Sequence, residues 1–515
     1  MGTKPLVAGG TLDLPCVKTP ISTRRIAATA CEFCFLACAM FLPLSVSAGN
    51  LPAGTVLEAR LSGATGSRIS HSGDPIEATI IAPIAVQGRI LVPQGSRLLG
   101  SITDAKALGL GLKHSTASIH YDFHTLVLPG DAAIPVDAQL VEVDTAKEHV
   151  DDSGTVNGIH PIVSVSSGVS YFAVPLLLAN PTIGAPVWGV KSVLAPSANP
   201  EIHFPVGTEI ILRLSTAVAL PEPKTEFLLP AKTFSPDDLT GIEALLKNSA
   251  QRARMGGRPS DIVNVLFLGS RSQMDRAFHA SGWALAQRKS PISLYRMYLA
   301  LTKRYGYPRA PTNALTLNGV PSAFVQQKSL DTVQKRHHVR LWQYPQRENV
   351  WLGAAAEDVG FRFKLAHWTH STDPHIDSER AKVVNDLAFV GCVSAAGLLS
   401  RTSADLVQDP KAEYPILTDG NIAVVRLNDC VDPTSMTGVG ETSALHRHGR
   451  LARALTAFWN DLMRSNVVFT TYNTLKLLGK HEAEPTTAHP RLVNGEPREL
   501  DWLTPAAPLQ SGPGQ

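Results

Sequence analysis

The sequence predicts a multidomain protein in which an all-β barrel or sandwich is followed by a mixed α/β domain. Three observations support this prediction. The 515 residues are too many for one ordinary hydrophobic core. Short segments that alternate apolar with polar residues, separated by Gly and Pro, run from 51 to 220. Beyond them, apolar runs of strand length alternate with segments of helical spacing.

The composition limits the function classes. Hydrophobic residues make up 44% of the chain, charged residues 18%, and the net charge is only +3, which is typical of a globular protein. A nucleic-acid-binding domain would need a strongly basic surface, so we expect no nucleic-acid partner. The chain contains no Gly-x-Ser-x-Gly nucleophile turn, no phosphate-binding Gly-x4-Gly-Lys-Ser/Thr and no His-Glu-x2-His. Whether the protein is an enzyme therefore stays open, and no organic cofactor is evident.

The N-terminal segment 1–48 predicts export. Arg24 and Arg25 precede an apolar run over 26–46, and the small residues that end at Ala48 favour cleavage before Gly49. A run of this length also suits an uncleaved membrane anchor. With either outcome we expect the rest of the chain in the periplasm or elsewhere in the cell envelope.

The β-rich domain is predicted at 49–220, and its turns share a pattern. The segments 51–55, 92–96 and 204–208 each contain an apolar residue, Pro, one further residue, Gly, and then Ser or Thr. Pro ends an extended segment and Gly permits the reversal. This turn pattern resembles that of the β-barrel domain of TrbI-type conjugal-transfer proteins. The resemblance implies a structural or assembly role rather than catalysis.

One part of this domain carries no charge. No Asp, Glu, Lys or Arg lies between Asp152 and Lys191. TrbI-type barrels project a helical hairpin toward the membrane, so the resemblance implies that 159–190 contacts lipid. Pro181 and Pro186 argue against an ordinary spanning helix. A buried loop between domains is the alternative.

The second domain is predicted at 233–479, after a linker at 221–232 and before a disordered tail at 480–515. Helical spacing and Ser235 as a cap indicate a first helix, and a continuous apolar run indicates a strand. A further apolar stripe predicts a helix near the end of the domain. The predicted elements are a helix at Pro236–Asn248, a strand at Asp261–Leu268, a helix at Ser272–Ser281 and a C-terminal helix at Arg450–Arg464.

Polar side chains concentrate between 336 and 380. In a strand, the alternation of side chains places His338, Arg340 and Trp342 on one side. The segment Val350–Ala355 is predicted to be the next strand and its hairpin partner. A polar and aromatic face of this kind must meet solvent or line a pocket.

The segment 370–380 gives the most specific site hypothesis. Imidazole and carboxylate groups suit a divalent metal, and a metal-bound water is a hydrolytic nucleophile. The candidate ligands are His370, Asp373, His375 and Asp377, and Glu379 and Arg380 complete the candidate site.

Two other interpretations of these residues remain open. Asp373 can start a turn and Asp377 can cap a helix, which would leave a solvated surface. Alternatively, Arg340 and Arg380 can hold a substrate carboxylate or phosphate.

Five short sequence segments of this region, in the same order, resemble the LssY C-terminal domain family over about 233–427. That family is named for a protein of a type I secretion locus and is often joined to membrane domains. The resemblance implies a fold and a context but no reaction. The five segments that carry the resemblance are Asp261–Ser270, Ala280–Trp283, His338–Trp342, Val350–Ala355 and His370–Arg380.

Once the leader is removed, Cys392 and Cys430 are the two cysteines that remain. In an oxidising compartment they can form a disulfide, and two buried thiols are the alternative. The first functional hypothesis is an envelope binding or assembly module with an envelope protein partner. The second is a metal-dependent or phosphate-ester hydrolase that uses His338 and the His370–Glu379 groups.

Overall fold

The structure is a computed structural model that describes residues 49–503, apart from 87–88, 109–113, 115, 131, 145–146, 161–175, 177–178, 195–197, 222–229, 248, 329–334, 365–366, 402–415, 431–499 and 501. Side chains are described except at 188, 192, 193 and 361–370. The signal peptide or anchor predicted at 1–48 and the helix predicted at 450–464 lie outside the described residues. So do most of the linker at 221–232 and most of the segment 159–190.

The described residues of the N-terminal part form strands and a helix. They are β1 Asn50–Leu51, β2 Val56–Leu61, β3 Thr65–Gly66, β4 Pro75–Ile80, β5 Ile84–Val86, β6 Arg89–Val92, β7 Arg97–Lys106, β8 Ser118–Leu128, β9 Ala132–Val143, β10 His149–Val150, β11 Thr155–Asn157, α1 Pro181–Leu194, β12 His203–Phe204, β13 Glu209–Leu214 and β14 Val218–Ala219.

Six of these strands close into an antiparallel barrel in the order β2-β4-β7-β8-β9-β13, with β13 returning to β2. The alternation seen in the sequence fills its interior. Leu57, Ala59 and Leu61 of β2 are buried, as are Ile76, Ala78 and Ile80 of β4. The hairpin of β10 and β11 extends the sheet beyond β8. The predicted β domain is therefore a barrel rather than a sandwich.

The three Pro-x-Gly segments form turns with the same conformation. Gly54, Gly95 and Gly207 have φ angles of 88°, 85° and 84°, a region that favours glycine. In each turn the following hydroxyl side chain donates to the proline carbonyl at 2.7 Å. The local sequence thus fixes the backbone reversal and satisfies the carbonyl left outside the ladder.

The C-terminal part is mixed α/β. Its elements are α2 Pro236–Lys247, β15 Arg252–Met255, β16 Arg258–Ile262, β17 Val265–Leu268, α3 Arg271–Ala280, β18 Ala284–Leu285, α4 Pro291–Lys303, β19 Thr316–Leu317, β20 Val320–Pro321, β21 Phe324–Lys328, β22 Lys335–Tyr344, β23 Arg347–Lys364, β24 His367–Thr372, α5 Ile376–Phe389, β25 Val393–Ser400 and β26 Asn421–Leu427. The predicted fold class is confirmed.

The central sheet has the order β18-β21-β22-β23-β17-β26-β25, and β24 pairs with β23 outside this path. Only β17 and β26 pair in parallel among these strands. A smaller sheet of β16, β15, β19 and β20 lies beside it. The predicted hairpin is confirmed, because β22 and β23 pair antiparallel from Trp342 opposite Leu352 to Lys335 opposite Val359.

The first two helix predictions are confirmed by α2 and α3, and the strand prediction needs one correction. Ser235 Oγ accepts the backbone N–H of Asp238 at 3.2 Å, as expected of a cap. Ser270 caps α3 with a reciprocal capping box. The strand predicted at Asp261–Leu268 is two strands, β16 and β17. Asn264 interrupts it, because its side-chain amide makes two hydrogen bonds to the backbone of Ala355.

The central sheet buries both faces. The barrel-side face, with Val265, Phe267, Val339, Leu341 and Val425, packs against α3 and α5 and against Ala85 and Ile90 of the barrel hairpin β5–β6. The outer face, with Leu266, Trp342, Leu352, Ile422 and Val424, packs against α2 and the small sheet. Residues Gly49–Gln515 cluster as one unit, consistent with these contacts.

The end of the described chain also belongs to this core. Leu500, Trp502 and Leu503 are buried on the barrel-side face, and Trp502 Nε1 donates to Asn385 Oδ1 at 2.9 Å. The predicted disordered tail is thus wrong for these residues, since three large apolar side chains lie within four positions of an otherwise polar segment. A disulfide joins Cys392 to Cys430.

Among the described residues, no helix has the length and apolar character needed to cross a membrane.

Candidate functional site

The barrel meets the barrel-side face through buried charges. Glu209 at the start of β13 accepts hydrogen bonds from Arg60 of the barrel and from Lys328 and Lys382 of the α/β part. Asp386 of α5 accepts from Arg60 at 3.0 Å and Lys328 at 3.1 Å. We call these five residues the interface network.

The electrostatics of the interface network favour its charged state. Burial works against ionisation of Glu209, but Lys328, Lys382 and Arg60 hold its pKa well below the usual range. Trp283 Nε1 donates to Asp386 at 2.9 Å and adds a neutral donor. The network therefore joins the two folded parts, since each anion has cationic partners from both sides of the contact.

A second polar group on the barrel-side face centres on His337 of β22. Its Nδ1 lies 2.7 Å from Glu379 and 3.9 Å from Glu357, and its Nε2 lies 3.3 Å from Asp144 of the barrel. Burial disfavours the imidazolium, but Glu379, Glu357 and Asp144 raise the pKa of His337 to about 10. We call these four residues the His337 cluster.

The outer face carries the first three predicted site residues. His338, Arg340 and Trp342 lie on one side of β22 as expected, and all three are buried. Arg340 pairs with Asp261 of β16, and Trp342 Nε1 donates to the carbonyl of Val320 at 3.2 Å. These contacts attach the small sheet to the central sheet.

His338 itself lacks a hydrogen-bond partner among the described residues. Its nearest carboxylate oxygens belong to Asp261, 3.6 Å from Nε2, and Asp358, 3.9 Å from Nδ1. Arg336 donates a hydrogen bond to Asp358 at 2.7 Å. Burial alone would raise the pKa of Asp261, but the positive charge of Arg340 holds it below its usual range. His338 thus lies between two carboxylates that already have arginine partners.

The third group is at the start of α5. Arg380 donates to Asp377 at 2.9 Å, to both oxygens of Asp419 at 2.8 Å and to the carbonyl of Asn421 at 2.7 Å. Burial raises the pKa of Asp377 although Arg380 opposes the shift. Asp377 also accepts from Thr418 at 3.0 Å. This group fixes the start of α5 to the segment before β26.

The capping interpretation needs a correction here. The N-cap of α5 is His375, which makes no side-chain cap hydrogen bond, while Asp377 lies inside the first turn. Asp377 cannot cap its own helix because its two oxygens are engaged by Arg380, Thr418 and the backbone N–H of Asp419. Asp373 accepts the backbone N–H of His375 at 2.8 Å, as a turn-starting residue does.

The predicted site residues are therefore divided among three sets of contacts. Arg340 and His338 face Asp261, Glu379 faces His337, and Asp377 joins Arg380. Strand β24 contains His370 opposite Phe361, and its side chain lies outside the described residues. Asp377 pairs with Arg380. Because the side chain of His370 lies outside the described residues, the ligand set of His370, Asp373, His375 and Asp377 stays a prediction.

Sequence reasoning missed His337, Glu357 and Asp144. In a strand the neighbour of His338 must face the opposite side of the sheet, so the alternation of β22 also places His337 on the barrel-side face. The regular spacing of Glu357 from the Val350–Ala355 strand would have placed it on the barrel-side face. Asp144 belongs to the barrel, and no local pattern links it to His337, since 193 positions separate the two.

An exposed apolar surface lies away from these groups. On α1, Ile183, Val187, Val190 and Leu194 follow at spacings of four, three and four and are 40–57% exposed. On α4, Ile292, Tyr295 and Tyr298 are 38–65% exposed. Tyr298 donates its hydroxyl to the carbonyl of Leu194, which makes the two stripes one surface. We call it the helix-pair surface.

The sequence around α4 is basic. No Asp or Glu lies between Asp275 and Asp331, while eight Lys or Arg residues do. Arg288, Lys289, Arg296, Lys303 and Arg309 of this segment are exposed. The basic run and the aromatic residues of α4 are both present in the sequence. The net charge of the whole chain does not indicate the basic run, because acidic residues elsewhere balance it.

The comparisons with known proteins cover parts of the chain. A family model described as the LssY C-terminus matches residues 246–422, about a third of the chain, from the last turn of α2 into β26. The matched segment contains the whole His338-to-Arg380 region. The predicted resemblance to this family is supported over that segment.

Solved structures also match part of the chain. ComB10 of the Com type IV secretion system of Helicobacter pylori is 13% identical, and the match covers 35% of this chain and 94% of that chain with a TM-score of 0.20. No curated protein matches the chain. The TrbI-type resemblance of the barrel therefore stays a prediction, and the similarity of this chain to the LssY C-terminus extends over residues 246–422.

Proposed function

We propose that the protein is an exported binding and assembly module of a bacterial-type cell envelope, and that it binds a protein partner through the helix-pair surface. The observation that carries the proposal is the exposure of this surface. Contiguous exposed apolar side chains on a soluble surface are typical of interaction sites. The match to the LssY C-terminus supports a secretion-associated context, which the resemblance already implies.

The polar groups favour binding over hydrolysis. A hydrolase that uses His338 and the His370–Glu379 groups needs them around one reacting centre. Their described members instead have separate neighbours in three sets of contacts: His338 lies 3.6 Å from Asp261, Glu379 pairs with His337, and Asp377 pairs with Arg380. Each set joins one element of the fold to another. The arrangement is that of a scaffold held together by buried ion pairs.

The chemistry of the helix-pair surface indicates the partner. Tyr295 and Tyr298 stack with ring centroids 6.5 Å apart, and Arg296 lies between them in the chain. Tyr and Arg are enriched in protein interfaces, where Lys is depleted. The basic run around α4 favours a partner with acidic side chains around an apolar centre.

Site-specific photo-crosslinking in cells tests this proposal. A crosslinking residue replaces Tyr295 in the full-length protein, and the control replaces Val206, a barrel residue that is 44% exposed. We expect one protein adduct of defined mass at position 295 and none at 206. Arg296→Glu should reduce that adduct about tenfold, because it reverses a charge that faces the acidic partner.

Two results would contradict the proposal. Crosslinks to lipid alone at position 295 would assign the surface to a membrane instead of a protein. Equal adducts at 295 and 206 would mean that the helix-pair surface has no partner of its own.

A further inference from the structure

The His337 cluster has the geometry of a metal site. One nitrogen of His337 and one oxygen each of Glu357 and Glu379 all lie within 4.8 Å of one another, and all three residues are buried. Two of these separations, 2.7 Å and 3.9 Å, bracket the spacing between ligand atoms around one tetrahedral ion, which is about 3.4 Å for bonds of about 2.1 Å.

The other nitrogen of His337 has the partner that a metal-bound imidazole usually has. His337 Nε2 lies 3.3 Å from the carboxylate of Asp144. A carboxylate at this position fixes the ring orientation and leaves Nδ1 free to bind a metal. Asp144 comes from the barrel, whereas the three ligands come from β22, β23 and α5.

Glu379 contributes a second, independent observation. Its Oε1 is buried and has no hydrogen-bond partner among the described residues, while Oε2 lies 2.7 Å from His337. Glu379 is 3% exposed. A buried carboxylate oxygen without a donor is costly, and a cation bound to the same carboxylate removes that cost.

We propose that His337 Nδ1, Glu357 and Glu379 bind one divalent transition-metal ion of the zinc class, and that Asp144 positions the imidazole. Imidazole with carboxylates suits Zn²⁺, whereas Mg²⁺ keeps several waters for which a buried site has little room. Binding releases the Nδ1 proton to solvent. The ion joins β22, β23 and α5, and through Asp144 it couples them to the barrel.

The ligand set differs from the one that the sequence suggested at 370–377. The role also differs, because burial of the three ligands gives a substrate no access and makes the ion structural. The site is independent of the helix-pair surface, so each proposal can fail without the other.

The test uses the metal content of the purified full-length protein. The protein is stripped with a chelator, reloaded with Zn²⁺, dialysed into metal-free buffer and analysed for zinc. We expect about one zinc per chain for the unmodified protein and less than about a tenth of that for His337→Gln and Glu379→Gln. Co²⁺ in place of zinc should give visible absorption bands that both variants lose.

His338→Gln is the matched control. His338 is the next residue of the same strand, is also 2% exposed and faces the outer side of the sheet. The His338→Gln variant should retain about one zinc per chain. Circular dichroism and gel filtration check that each variant is folded, and Glu357→Gln replaces any variant that is not. Unmodified protein with less than about a tenth of an equivalent of zinc, or equal loss in His337→Gln and His338→Gln, would overturn the proposal.

Discussion

His337 and His338 are neighbours on one strand and equally buried, yet their surroundings are opposite. His337 lies among three carboxylates at the contact with the barrel, and these raise its pKa to about 10. His338 lies on the outer face, where arginines already neutralise the nearby carboxylates and both ring nitrogens lack hydrogen bonds. Burial alone therefore does not define a polar site. The charges contributed by other elements decide which histidine has a role.

The largest expected effect is the difference between two matched substitutions. His337→Leu leaves Asp144, Glu357 and Glu379 without their shared partner and should lower the free energy of unfolding by about 3–5 kcal/mol. His338→Leu removes a buried group that makes no hydrogen bond and should change it by less than about 1 kcal/mol. Urea unfolding followed by tryptophan fluorescence measures both. Equal losses would contradict the comparison between the faces.

The next effect concerns the disulfide, which also lies on the barrel-side face. Cys392 and Cys430 are separated by 38 positions. Replacing both with Ala should lower the free energy of unfolding by about 3 kcal/mol, because the unfolded chain gains freedom. Unfolding of the oxidised protein is compared with that of the variant. A variant as stable as the oxidised protein would mean that this link does not stabilise the barrel-side face.

In the metal-free protein, acid should weaken the contact between the barrel and the His337 cluster. Burial disfavours ionisation of Asp144, but His337 lowers its pKa from 3.8 to about 2. A lowered pKa in the folded state means that the stabilisation is present above pH 4 and is lost as the pH falls toward 2. The loss should be about 2 kcal/mol. Asp144→Asn should remove this part of the pH dependence, and Asp137→Asn, at an exposed barrel position, should not.

The smallest effect is expected for an ion pair on the outer side. Arg426 donates to Asp238 at 2.7 Å, and both side chains are more than a third exposed. Asp238→Asn should leave the free energy of unfolding almost unchanged, because solvent screens such pairs. Thermal unfolding in low and high salt measures it. A loss as large as that of His337→Leu would remove the distinction between buried and exposed pairs.

Much of the fold could be predicted because its signals are local. The Pro-x-Gly turns, the caps Ser235 and Ser270 and the alternation of β22 each depend on residues a few positions apart. The split at Asn264 could not be predicted, since it needs the backbone of Ala355, 91 positions away. The same holds for Trp502, whose partner is Asn385.

The candidate site was predicted in part for the same reason. Composition identified the polar region, and the strand period placed His338, Arg340 and Trp342 on one side. It could not assign their partners, because Asp261 comes from β16 and Asp419 from the segment before β26. Asp144 and Glu209 come from a different folded part, so the interface could be found only in three dimensions.

Residues on both sides of the segment 431–499 belong to the same hydrophobic core. Cys430 is covalently tied to Cys392 before it, and Leu500 and Trp502 pack on the same core after it. Both flanks of this segment are therefore fixed to one core. After a single protease cut between 431 and 499, the C-terminal fragment would be held to the core by the packing of Leu500, Trp502 and Leu503 and not by the disulfide, whose two cysteines lie in the N-terminal fragment.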